Sequence, residues 1–364
     1  MIKGKLEGLG WHNYELCKAL VEAHPEDEFI FFFDRPFDDS FLFGDKVRGV
    51  VVAPPARHPI LWWIWFEVSL PLYLKRYQID VFLSLDSYCS LRSQVSTLMV
   101  THDIAHVHYP DQVPAWPLRF YKKYVPKYLK RADHIITVSH FVKEDIITQY
   151  QIPAEKISVA TNALRGTFKP VDENARVQVR QQYAAGTEYF FYLGAIHPRK
   201  NIDRLIQAFD QFKSKTQAST KLLIGGRFAW QTGAIKTAYD QSPYQDDIQF
   251  LGYLPDQELK QIMASALALT YVSLFEGFGF PILEAMHCEV PVITSNTSSM
   301  PEVAGEAALL VDPESIDEIA KAMQDLYLLP QLRYDLVEKG RRQRERFSWK
   351  KTADIVYEQL KAIE

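Results

Sequence analysis

Short runs of β-branched and aromatic residues alternate with amphipathic stretches along almost the whole chain. In the first half the runs are "EFIFFFD" (28–34), "GVVVAP" (49–54), "DVFLSLD" (80–86), "TLMVTHD" (97–103), "HIITVS" (134–139) and "ISVATN" (157–162). The second half supplies "YFFYLGA" (189–195), "KLLIGG" (221–226), "IQFLGY" (248–253), "LALTYVS" (267–273), "PVITSN" (291–296) and "AALLVD" (307–312). Many are continuously apolar, as strands buried on both faces of a parallel sheet must be. Helical patterns lie between most of them, so the pattern predicts an α/β protein with doubly wound, Rossmann-like sheets.

Twelve strands are too many for one small sheet, and 364 residues exceed the size at which one core stops growing. The polar, turn-rich stretch "NALRGTFKPVDENA" (162–175) separates the two sets and marks the domain junction. We therefore expect an N-terminal domain over 1–163 and a C-terminal domain that starts at 164. Two such domains facing each other leave a cleft at the carboxyl ends of their strands, where ligands of open α/β sheets bind. One feature is out of pattern. The turn "EGLGW" (7–11) and the helix after it look like a first βα unit, but "MIKGKL" is too short for a strand plus a loop, so the first strand is expected to be missing.

Composition narrows the class. The chain is 47% hydrophobic and 24% charged with a net charge of -4, an ordinary globular make-up that gives no general reason to bind nucleic acid. Cys17, Cys89 and Cys288 stand far apart without a Cys/His cluster, which suits a reducing compartment and suggests neither disulfides nor zinc. The run "PILWWIWF" (59–66) falls short of the roughly 20 residues that span a bilayer, and no signal peptide is evident. A cytoplasmic protein is expected. The basic, aromatic stretch "PLRFYKKYVPKYLKR" (117–131), together with "WWIWF" (62–66), offers a face for peripheral contact with an anionic membrane.

The candidate chemistry lies just after strands. In "EGFGFPILEAM" (276–286), Pro281 suits the first turn of a helix, while Gly277 and Gly279 let main chain approach a ligand with N–H groups exposed. Glu276 stands in the loop and Glu284 on the first helical turn, so two carboxylates and a set of N–H donors converge. In "YLGAIHPRKNIDRLIQAF" (192–209), Arg199 and Lys200 follow the Gly194 turn and precede a helix, a placement for holding a diphosphate. His102 follows the strand "TLMVTHD". His106 and His108 are near it, but no acidic ligand is suitably spaced for a metal.

Taken in order, "GLG", "THD", "TVSHFVKEDI", "GAIHPRKNIDRLIQAF", "FLGYLPDQEL", the E-x7-E pair Glu276 and Glu284, and "RFSWKKTADIVYEQL" resemble family 4 of the glycosyltransferases, retaining enzymes of the GT-B fold. The resemblance covers nearly the whole chain. It implies a nucleoside-diphosphate sugar donor, GDP- or UDP-linked, and a glycan or lipid-linked acceptor in polysaccharide synthesis, with mannose or glucose transferred. It also implies that Glu284 binds the ribose hydroxyls, Glu276 a sugar hydroxyl, and main-chain N–H groups over Gly277, Phe278, Gly279, Phe280, Pro281 and Ile282 the sugar and diphosphate. Arg199 and Lys200 would neutralise the diphosphate, backbone at Gly252, Tyr253 and Leu254 would meet the base, Gly8 and Gly10 would approach phosphates and acceptor, and His102 the transferred sugar. The C-terminal domain would then span 164–346, and 347–364, with the last helix at about 349–363, would return to complete the first domain. Many relatives carry arginine where this chain has Ala195, which leaves more of the phosphate charge to Arg199. No D-x-D occurs, so no bound metal or other cofactor is expected. Alternatives are a nucleotide-sugar 2-epimerase or a phosphorylase, which differ in needing no acceptor or in needing free phosphate, and a non-catalytic nucleotide-sugar or glycan binding module.

Overall fold

Each of the twelve apolar runs folds as a strand in the computed structural model, which describes Leu6, residues 8–229 and residues 232–364. They are β1 (Phe29–Phe33), β2 (Val47–Val51), β3 (Val81–Ser84), β4 (Ser96–Thr101), β5 (His134–Thr137), β6 (Ile157–Val159), β7 (Tyr189–Leu193), β8 (Lys221–Gly225), β9 (Ile248–Gly252), β10 (Ala268–Tyr271), β11 (Val292–Ser295) and β12 (Ala308–Val311). The chain divides into two compact units, Met1–Arg165 with Ser348–Glu364, and Gly166–Phe347.

In the second unit six strands form one sheet in the order β12-β11-β10-β7-β8-β9, with every pairing parallel. The order runs outward from β7 in one direction and then, starting at β10, in the other. The crevice between the carboxyl ends of β7 and β10 is therefore the topological switch point of a doubly wound sheet. Helices cover both faces, which is why β10 and β11 are buried at every residue. The helix Ile202–Thr216 shows the pattern read from sequence: Ile202, Leu205, Ile206 and Phe209 are all fully buried. It packs beside the helix Ile316–Leu328.

In the first unit the described strands form a four-stranded parallel sheet, β3-β4-β5-β6, and a separate parallel pair, β1-β2. The closing helix Trp349–Ile363 belongs to this unit and packs along the helix Gly8–Ala23. Thr352 Oγ1 donates to Thr161 O at 2.6 Å, and Trp349 Nε1 to Leu164 O at 2.7 Å.

One expectation for this unit changes. Gly8 and Gly10 do not form a loop before the helix, because the helix Gly8–Ala23 already includes both. Glycine's poor helix propensity made them read as a turn, but the first helical turn tolerates it. The strand expected to be missing concerns residues 1–5, and these, like Glu7 of the predicted turn, lie outside the described residues.

The basic stretch forms the helix Ala115–Arg131 with Pro126 inside it, and no helix among the described residues is long and apolar enough to cross a membrane. Its Lys122, Lys123, Lys127 and Lys130 are exposed. Most of its aromatic rings turn the other way: Phe120 and Tyr128 are core residues, and Tyr121 and Tyr124, with Trp62 and Trp63 of the helix Pro59–Ile64, pack against the same cluster, whereas Trp116 is 60% exposed. Trp65 and Phe66 are buried in a second cluster. Amphipathic helices divide in this way when one face has a core to cover.

Candidate functional site

The loops after β7 and β10 meet at the switch point of the second unit. Beyond β7, His197 caps a 3-10 turn over Pro198–Lys200. Asn201 follows in the left-handed region at φ 60°, a conformation asparagine tolerates better than most residues. Its fully buried amide donates to Val272 O at 3.0 Å and to Pro313 O at 2.6 Å. Leu274 N donates to Arg199 O at 2.9 Å, and Arg199 Nη1 to Phe275 O at 3.0 Å. These bonds fix the two cations of the first loop against the acid of the second.

Glu276 is the centre of that junction, and only 7% of it is exposed. Its Oε1 accepts from Lys200 Nζ and, at 2.7 Å, from the hydroxyl of Tyr271. Lys200 Nζ also lies 3.4 Å from the Tyr271 oxygen. Burial alone would raise the carboxyl's pKa, but the charges of Lys200 and Arg199 and the bonds to the carboxylate outweigh it and hold the pKa below the ordinary value. Glu276 is therefore an ionised, paired carboxylate. Its main chain is also held, with Glu276 N donating to Ser298 Oγ at 3.1 Å and Ser299 Oγ donating to Glu276 O at 2.9 Å.

The following helix runs from Phe280 to His287, with Gly279 as its cap at φ 107°. A side chain at Gly279 would be strained by that backbone and would meet Ile282 at 3.1 Å. Gly277, Phe278 and Gly279 are buried, while Phe280 and Pro281 are partly exposed. Glu284 is not on the first turn, as expected from sequence, but is the fifth helical residue, and it is 1% exposed. The helix begins one residue before Pro281 and so carries Glu284 into its second turn. Its charge, after burial, helps push the neighbouring Cys288 thiol up to about 12.

At the carboxyl ends of β7, β8 and β9 stand Gly194, Gly226 and Gly252, with φ of 152°, 144° and 69°. Gly194 N donates to Gly225 O at 3.0 Å and Gly226 N to Gly252 O at 2.8 Å. The three strands thus end in bare main chain. Leu254 packs over Gly225, whereas Tyr253 is 53% exposed, as is Phe228 at 54%. Phe228 was not anticipated, because it follows β8 in a stretch without a recognisable motif. Tyr271 and Asn201 were also missed: one reads as strand, the other as the start of a helix, and only tertiary contacts reveal their roles.

In the first unit His102 Nε2 donates to Leu85 O at 3.0 Å, which leaves Nδ1 as the ring's acceptor. Burial depresses its pKa despite that bond and the charge of Asp86, so the ring is neutral at pH 7. His12 lies edge-on to it, with ring centroids 4.5 Å apart. His12 Nδ1 donates to Asn162 Oδ1 at 2.6 Å, and its Nε2 is buried without a partner. His108 Nε2 is 2.8 Å from both oxygens of Asp145, and His106 Nε2 is 3.0 Å from the Tyr150 hydroxyl. No group of three His, Cys, Asp or Glu side chains placed to hold a metal ion occurs among the described residues.

A doubly wound sheet whose switch point carries two cations, an ionised glutamate and a glycine-capped helix fits the resemblance to the GT-B glycosyltransferases. Comparison with known proteins agrees: the Glycosyl transferases group 1 family matches residues 176–343, and Glycosyltransferase Family 4 matches residues 6–164. The chain is 30% identical over 363 residues to O-antigen chain mannosyltransferase B of Escherichia coli, covering 96% of this chain and 94% of that protein. Among solved structures, WaaG, a glycosyltransferase involved in lipopolysaccharide biosynthesis, shares the fold at a TM-score of 0.76 and 14% identity, with 98% of this chain and 96% of that one covered. Anabaena Alr3699/HepE in complex with UDP and glucose does so at 0.74 and 16%, with 100% and 98% covered. The protein belongs to glycosyltransferase family 4 and has the GT-B fold.

Proposed function

We propose that the protein transfers a hexose, with mannose the first candidate, from a nucleoside-diphosphate sugar to a glycan or lipid-linked acceptor in polysaccharide synthesis, retaining the anomeric configuration. The observation that carries this reading is the junction of Arg199, Lys200 and Glu276 at the switch point of the second unit. Mannose is favoured by the likeness to the O-antigen mannosyltransferase. A nucleoside diphosphate is favoured by the likeness to a fold-mate that binds UDP and glucose.

In this reading Arg199 and Lys200 face the diphosphate, and N–H groups over Gly277–Ile282, Pro281 excepted, hold the sugar and phosphates. Glu276 accepts from a sugar hydroxyl, Glu284 from the ribose, and the bare main chain at Gly194 and Gly252 to Leu254 admits the nucleotide. From the first unit we assign Gly8 and Gly10 to phosphates and acceptor, and His102 to the transferred sugar through its Nδ1. As the anomeric C–O bond breaks, negative charge grows on the departing diphosphate and positive charge on the sugar ring. Fixed cations and a helix N-terminus stabilise the former without reorganising. The acceptor oxygen bonds to the anomeric carbon on the face the diphosphate leaves, and the acceptor proton passes to a phosphate oxygen.

The test is proton NMR of the product formed from GDP-mannose or UDP-glucose, with EDTA present throughout. The expected result is undiminished transfer and a one-bond anomeric C1–H1 coupling that matches the donor's configuration. An inverted product, or activity abolished by EDTA and restored by magnesium, would overturn the mechanism.

A further inference from the structure

Tyr271 ends β10 directly beneath Glu276, and nothing in the reading above gives it a task. Its ring is 3% exposed, and Tyr192 of β7 stacks on it with centroids 6.2 Å apart. The hydroxyl is therefore fixed. It donates to the same Glu276 oxygen that Lys200 occupies, while the ammonium lies within donating distance of the hydroxyl oxygen. Carboxylate, ammonium and phenol form one closed triangle. The ionisable groups around Tyr271 are Glu276, Lys200, Arg199 and Tyr192, and burial, then the Glu276 charge, pushes its own pKa far above the ordinary phenol range. It stays a donor at every pH of interest.

The triangle makes sense for a carboxylate whose cation has a second appointment. When a diphosphate enters, the Lys200 ammonium is drawn toward two anions at once, and a buried carboxylate that loses its donors is costly. We propose that Tyr271 is a positioning residue, whose hydroxyl keeps the Glu276 carboxylate in place while the Lys200 charge is shared with the donor's diphosphate. A neutral donor suits this role, because the phosphates do not attract it away.

This inference rests on the reading of Glu276 as a partner of the transferred sugar, and the experiment separates the two. Tyr271→Phe keeps the ring and removes the bond. Turnover at saturating donor is expected to fall about 10-fold, as losing one bond to a charged group implies, with donor KM little changed. The acidic limb of the turnover profile should move to higher pH, because Glu276 is then easier to protonate. Placing 3-fluorotyrosine at position 271 preserves the shape while strengthening the donor, so the same limb should move to lower pH. This second variant keeps the test decisive if the first folds poorly. Adding Tyr271→Phe to Glu276→Gln should cost nothing further. If Glu276→Gln abolishes turnover but Tyr271→Phe leaves both rate and pH profile intact, or the double variant shows additive losses, the inference fails and the site reading stands. If Glu276→Gln itself retains full turnover, the site reading fails.

Discussion

Glu276→Gln is expected to lower turnover by roughly 100-fold or more, the magnitude typical of removing one preorganised electrostatic contact from a transition state. The amide is the right size to fill the carboxylate's place, so packing against Tyr271 and the Ser299 bonds to the Glu276 and Phe278 carbonyls should survive. What changes is charge. Lys200, of which 13% of the side chain is exposed, loses its counter-ion in a buried site, and the sugar hydroxyl proposed to bind Glu276 would lose a strong acceptor. Steady-state kinetics with saturating donor, alongside a melting curve to confirm folding, checks this. Near-normal turnover in a folded variant would remove Glu276 from the chemistry. The pairing also carries a pH signature for stability. Because the folded pKa lies below the unfolded one, the stabilisation is complete above the ordinary carboxylate range and is lost as pH falls through the depressed value.

The largest stability effect is expected at Gly226. A Cβ built there would stand 1.8 Å from the Gly194 carbonyl oxygen, on backbone at φ 144°. The obstacle is main chain rather than a flexible side-chain tip, and it belongs to the strand end that leads to Arg199 and Lys200. Gly226→Ala should therefore cost about 3 kcal/mol or more, combining backbone strain with overpacking, and should weaken donor binding by displacing the β7 exit. Denaturant unfolding measures the first effect. A midpoint equal to wild type would mean that the strand ends are not packed as described. Gly252→Ala makes a useful contrast, since no atom lies within 4 Å of a Cβ there and only the φ of 69° opposes it.

How much of this was legible in the sequence depends on how local each signal is. The twelve strands were readable because strands buried on both faces need unbroken apolar runs, and "YFFYL" or "VITS" has little else to become. That Arg199, Lys200 and Glu276 come together was readable because ligand sites in such sheets gather just past the strand ends, and these charged residues follow β7 and β10. Tyr271 was not, since a tyrosine in an apolar run looks like core until its hydroxyl is seen to reach the acid five residues on. Asn201 looked like the start of a helix, yet its amide ties the two loops together across more than 70 residues of chain. Gly8, Gly10 and Glu284 show the limit of the same reasoning: the residues were noticed, but where a helix begins shifts by a few residues without leaving a sequence signature.

The central claim is that a nucleoside diphosphate is gripped mainly by side chains and main chain of the second unit, without a metal ion. Calorimetric titration of GDP and UDP into the protein in EDTA, repeated with Lys200→Met, tests it most directly. The account predicts saturable binding of at least one nucleotide without metal, and affinity weakened about 10-fold or more in the variant, as the loss of a charged contact implies. Binding that requires magnesium, or that is as tight without Lys200 as with it, would contradict the account.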